Sequence, residues 1–203
     1  MIDFDKELNE MVANKNLMNS YKLYFLKALI VNASSNKSRF DFYEMACWMC
    51  AYSFSDVCLL GRRIRPLDKL YDAAVLIIEK EDLMESSKIS EVFDAVASTK
   101  DKELKQLVVS LCNYVPYRLL AYLWQQELKG KTDGQKNQII EELSRSDEKS
   151  VYSIFSISLR KKSIEVNPEW IAFITNSRKR LIPWIDEKID LFVGKGANYD
   201  ICR

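Results

Sequence analysis

The stretch "DFYEMACWMCAYSFSDVC", Asp41 to Cys58, has two readings, and the choice between them decides the fold. Cys47, Cys50 and Cys58 fall within twelve residues. A C-x-x-C pair is common to zinc sites, redox motifs and plain helix interiors. The residues around the cysteines favour the helix. Asp41 and Glu44 stand three apart, as in a capping box, ahead of an apolar stripe of Phe42, Met45, Ala46, Met49 and Cys50. On one continuous helix Cys50 and Cys58 point within about 40° of each other but lie about 12 Å apart along the axis. That is too far for one zinc ion with bonds of ~2.3 Å to sulfur. A fourth ligand would have to come from Cys112 or from a carboxylate distant in sequence. Cysteine packs as a small hydrophobe and is among the most buried residue types. The stretch therefore predicts a buried helix with unpaired thiols and no metal or other cofactor.

The same periodicity extends in both directions. Tyr21, Tyr24, Phe25, Ala28 and Leu29 follow the spacing of one helical face after a cap at Asn19 or Ser20. Gly61 can end the cysteine-rich helix, and Pro66 suits the first turn of the next, whose stripe is Leu67, Leu70, Tyr71, Ala74, Ile77 and Ile78. Shorter helices are predicted around Ile89 to Val96 and Leu104 to Leu111, and Pro116 opens another that carries Leu119, Leu120, Leu123 and Trp124. "KGKTDGQ", Lys129 to Gln135, is a loop, followed by an amphipathic piece with Ile139, Ile140 and Leu143. "SVYSIFSISLRKKSIEVN" changes to the alternation of a short hairpin. A last helix starts at Asn167 and Pro168, with a kink or break expected between Asn176 and Pro183. The expected fold is mainly α, a multi-helix orthogonal bundle with at most one short β-hairpin. It forms a single domain over residues 1–203, with a possible smaller subdomain at 135–203.

Composition agrees with helices. Five Gly and four Pro are too few to punctuate a many-stranded sandwich or barrel. Thirty basic against twenty-nine acidic residues give a net charge of +1, so no whole-molecule field draws the chain to nucleic acid or membrane. The acidic start "MIDFDKELNE" does not resemble a secretory leader, and the apolar runs are too short to span a bilayer, so a cytoplasmic location without membrane contact is expected. The chain has no histidine. Imidazole is the usual general base near neutral pH, and neither a phosphate-binding glycine loop nor G-x-S-x-G is present. The sequence reads as non-enzymatic, with no evident small-molecule substrate.

Three short basic tracts remain as candidate contacts: Arg62, Arg63 and Arg65; Arg160, Lys161 and Lys162; and Arg178, Lys179 and Arg180. Each sits at a predicted turn or helix end, where cations complement the helix dipole and solvate connections. If two tracts converge on one face, they grip phosphates instead. Arg118 belongs with them, in the first turn of a helix where a positive charge opposes the dipole and amid aromatics, a setting of either a paired arginine or a binding hot spot. Trp124, Trp170 and Trp184 fall on apolar stripes and read as core rather than as a base-stacking platform.

In order along the chain, "SYKLYFLKALI", "FYEMACWMCAYSFSDV" with "GRRIRPLDKL", "VPYRLLAYL", "SIEVNPEWIAFITNS" and "IPWIDEKIDLF" resemble the helical N-terminal region of bacterial HNH endonuclease proteins. The resemblance covers about Asn19 to Phe192 and rests on structural motifs. In such proteins a separate HNH domain supplies the metal ligands and the base from histidine and asparagine. This chain reads only "VGKGANYDICR" after Phe192 and lacks histidine, so no catalytic residue carries over. The resemblance implies a non-catalytic accessory module of a nuclease-type system that binds DNA or a protein partner. The alternative is a stand-alone interaction or oligomerisation domain with no nucleic-acid role. The chain should leave supercoiled plasmid uncut in the presence of Mg²⁺, Mn²⁺ or Zn²⁺. Metal-dependent nicking that a carboxylate substitution abolishes would overturn this.

Overall fold

The computed structural model describes residues 2–13, 17–60, 69–158 and 161–197. The fold is mainly α with a small antiparallel sheet. Helices α1 (Phe4–Met11), α2 (Tyr21–Asn32), α3 (Phe42–Leu60), α4 (Lys69–Glu81), α5 (Ile89–Ser98) and α6 (Lys102–Leu111) precede α7 (Val115–Leu120) and α8 (Asp133–Leu143). Strand β1 (Arg39–Asp41) lies between α2 and α3, and β2 (Tyr152–Ser158) and β3 (Lys161–Val166) lead into α9 (Pro168–Ala197).

Helix α2 is the centre. Beyond the stripe visible in the sequence, Leu23, Leu26 and Ile30 are also fully buried, so the helix is apolar on nearly every side. It packs against α3, α7 and α9. Its buried tyrosine keeps a polar exit, since the Tyr24 hydroxyl donates to Asp56 Oδ2 at 2.9 Å. Helix α3 starts as its capping motif predicts, with the Glu44 amide donating to Asp41 Oδ1 at 2.6 Å. Cys47 and Cys50 lie in the core, and Cys112 of the α6 C-cap sits 3.9 Å from Met49 Sδ. On the flank of α3, Trp48 stacks on Phe93 with ring centroids 3.8 Å apart. Among the described residues, no group of three or more cysteines and carboxylates is placed to hold a metal ion, and no helix is long and apolar enough to cross a membrane.

The predicted hairpin is present, and it gains a third strand in the order β1-β3-β2. Phe40 pairs with Ile164, which pairs in turn with Ile154, and all three side chains face the core. Three residues of β1 are too few to display an alternation, and the capping role of Asp41 dominates that stretch of sequence. The Tyr152 hydroxyl donates to the Pro116 carbonyl at 2.6 Å and ties the sheet to α7. Helix α1 also carried no sequence-level expectation. Its Asp3 cap accepts from the Lys6 amide at 3.1 Å, and Leu8 and Met11 enter the core.

Of the kink or break expected between Asn176 and Pro183, the break does not occur, because α9 runs through Pro183. Proline removes one intrahelical donor and crowds the carbonyl four residues earlier, here that of Lys179. Pro183 and Lys179 are both exposed, so water can serve the freed carbonyl. Leu181, Ile185 and Ile189 meanwhile anchor the opposite side in the core. Gly61, Pro66 and Leu67, expected at the α3–α4 junction, lie outside the described residues.

Burial pushes the Cys47 thiol up to about 12 and those of Cys50 and Cys112 well above the ordinary value. Thiolate is the reactive form, so these three should stay unlabelled when native protein is treated with a maleimide and mapped by mass spectrometry. Cys58, half-buried, should react before them. Labelling of Cys47 or Cys50 ahead of Cys58 would contradict the packing.

Candidate nucleic-acid interface

The basic residues divide into those the fold has already engaged and those it leaves open. Lys162 on β3 donates to the Tyr117 hydroxyl at 2.5 Å and to Glu141 Oε2 at 3.1 Å. Burial opposes its charge, but these two partners outweigh it and raise its pKa. Glu141 is correspondingly lowered: burial acts against it, while Ser156, Lys162 and Arg145 more than compensate. Arg178 donates through Nη2 to the carbonyl of Ala33, the C-cap of α2. Arg180 pairs with Asp5 of α1 at 2.8 Å and lies over the Phe173 ring. Lys161 also has an intramolecular contact, whereas Lys179 is exposed on α9. Arg62, Arg63, Arg65 and Arg160 lie outside the described residues.

Arg118 is the predicted residue that the structure places in a cationic setting. It projects from α7 into a cleft of about 430 Å³ shared with Lys22, Lys129 and Lys136. Helix α2 supplies Lys22 in its first turn, next to the α7 on which it packs. Gly130 closes the run of turns after α7 with a φ of +73°. That conformation suits glycine and turns the chain, so that Lys129 before the turn and Lys136 of α8 after it line the same cleft. Thr132 caps α8 through its contact with Gln135 and fixes where Lys136 emerges.

The electrostatics are one-sided. Among the described residues, Lys22, Lys129 and Lys136 form no ion pair and no carboxylate lines the cleft. Two acids stand at its edge: Asp133 accepts from Arg118 Nη2 at 2.7 Å, and Glu7 accepts from the Tyr122 hydroxyl at 2.8 Å. The other amino group of Arg118, Nη1, is buried without a hydrogen-bond partner. Lys22 is pushed down to about 8, first by burial and then by the charge of Arg118. The positive end of the α2 dipole falls on the same spot, and α2 has no acid in its first turn to offset it. Two other clefts differ. The 640 Å³ cleft between the sheet and the start of α9 has Glu165 as its ionisable lining group. The cleft on the opposite face of α8 balances Arg145 and Lys162 against Glu141 and Glu142.

Sequence reasoning missed Lys22, Lys129 and Lys136. The sequence-level trace of Lys22 was a lone cation at the start of an otherwise apolar helix; the other two flank a loop and look like solvated lysines. Comparison with known proteins finds no matching family model, curated protein or solved structure.

Lys22 costs the fold stability. Its folded pKa is below its ordinary value of 10.5, so between about pH 8 and 10.5 the unfolded chain holds more protons than the folded one. The penalty is therefore complete below pH 8 and is relieved as pH rises through that window. Lys22→Met should stabilise the protein at pH 7 by about 1–3 kcal/mol, within the usual cost of a buried unpaired charge. In urea unfolding, the gap between variant and parent should narrow toward pH 10. A destabilised variant would show that the ammonium has a stabilising partner.

Proposed function

We propose that this chain is a non-catalytic helical module that binds nucleic acid by its phosphates at the α2–α7–α8 cleft, in a nuclease-linked setting. The observation that carries the reading is that Lys22, Arg118, Lys129 and Lys136 line one cleft that, among the described residues, no carboxylate lines. A half-buried lysine without a counter-charge is expensive, and charges perturbed in this way cluster at functional sites. Phosphate contacts of this kind give affinity without reading sequence. The resemblance to helical regions that accompany HNH nucleases supports the same assignment. The net charge of +1 sets the scale, because a local patch without a whole-molecule field supports weak, salt-sensitive binding.

Fluorescence anisotropy with labelled duplex and single-stranded DNA tests the proposal. At low salt the parent should bind with Kd of about 10⁻⁶–10⁻⁴ M, and log Kd should rise with log salt at a slope of about 2 to 4. Lys129→Ala/Lys136→Ala should weaken binding about tenfold on every sequence and reduce that slope by about two. Lys100→Ala, an exposed lysine between α5 and α6, should change little. Absence of binding at low salt would sink the reading. A loss with Lys179→Ala as large as with the double variant would move the interface to α9.

A further inference from the structure

The charge balance of the cleft suggests which kind of phosphate it takes. Four cations line it and two carboxylates, Asp133 and Glu7, stand at its edge, which leaves a local excess of two positive charges. A phosphodiester link carries a single negative charge, whereas a phosphate monoester carries nearly two at neutral pH and offers three strongly accepting oxygens. The donors come to this one cleft from α2, α7, the turns after α7 and α8. Arg118 uses Nη2 on Asp133 and keeps Nη1 buried and unpartnered. The Lys22 ammonium beside it has no ion-pair partner among the described residues, and Lys129 and Lys136 line the same cleft. A diester backbone would need a stripe of cations along its path. Among the described residues of the basic tracts, Lys162, Arg178 and Arg180 are tied to Glu141, Ala33 and Asp5, and Lys179 is exposed on α9 away from the cleft lining.

Building on the nucleic-acid reading above, we propose that the cleft is a site for a phosphate monoester, the phosphorylated end of a nucleic-acid strand, rather than for the backbone along its length. The cleft's volume of about 430 Å³ accommodates a terminal phosphate and its sugar. Tyr122 and the exposed side chain of Met18 give that sugar apolar walls. The partly desolvated setting of Lys22 and Arg118 strengthens each charge-assisted hydrogen bond relative to one on open surface. The site needs no metal, because the cations neutralise the dianion directly.

The test compares one short single-stranded oligonucleotide with a 5′-phosphate, with a 3′-phosphate and with hydroxyls at both ends. The matching mononucleotide and inorganic phosphate serve as competitors, all at constant ionic strength and pH 7. One of the two phosphorylated oligonucleotides should bind at least tenfold more tightly than the hydroxyl form. That advantage should vanish in Lys129→Ala/Lys136→Ala and survive in Lys100→Ala. Equal binding of all three oligonucleotides, weakened alike in the double variant, overturns the monoester proposal and leaves the nucleic-acid reading standing. If mononucleotide or inorganic phosphate displaces the phosphorylated strand at concentrations near that strand's own Kd, the monoester site stands and the reading as a nucleic-acid module falls. Absence of binding to every probe overturns both.

Discussion

The burial of α2 on nearly every side is the constraint from which the rest of the architecture follows. A helix with one apolar stripe can rest on a surface, but one that buries Leu23, Phe25, Leu26, Leu29 and Ile30 must be covered all round. Helices α3, α7 and α9 supply that cover. The polar groups of α2 are then confined to its rim. Tyr24 reaches Asp56, Asn32 turns back to the Ala28 carbonyl, and the carbonyl of Ala33 is met by Arg178 from α9. At the other end the cover from α7 brings Arg118 close to Lys22. The cationic cleft is a by-product of packing α7 onto the first turn of the central helix.

Two kinds of cation result, and their physics differs. Lys162 and Arg178 are half-buried and hydrogen-bonded, so their charges stabilise a particular arrangement of strand, helix and cap. Lys22 loses hydration without gaining an ion-pair partner among the described residues, and it lies at a helix N-terminus and beside another cation. Each of these works against the fold. A bound anion reverses all of them at once, since it replaces lost hydration, opposes the dipole and separates Lys22 from the charge of Arg118. The cleft is therefore a place where folding free energy has been given up in a form that an anion can recover.

The sulfur-rich seam between α3 and α6 shows the opposite use of burial. Cys47, Cys50 and Cys112 are pushed toward the neutral thiol by desolvation, and Met49 fills the space beside Cys112. Packing, rather than thiol chemistry, explains their positions. The stacked pair Trp48 and Phe93 extends the same layer toward α5 and helps fix α5 against α3.

Helix identity in most of this chain is a local matter that the sequence alone determined, α1 excepted. Periodic apolar residues, the Asp41 and Glu44 cap and Pro168 at a helix start act over a few residues, so α2, α3, α4 and the α9 start were legible, as was the β2–β3 hairpin from its alternation. Elements whose existence depends on a distant partner were not. Strand β1 is three residues that become a strand because β3 offers its edge, and α9 passes through Pro183 because that face meets water while the other is pinned in the core. The same distinction governs the candidate site. Basic tracts are visible in sequence because their members are neighbours, but Lys22, Arg118, Lys129 and Lys136 come from separated segments and converge only when α7 and α8 fold back on α2. Which charges find partners is likewise decided in three dimensions, because Coulomb energy and desolvation depend on distance and burial, neither of which is set by position along the chain.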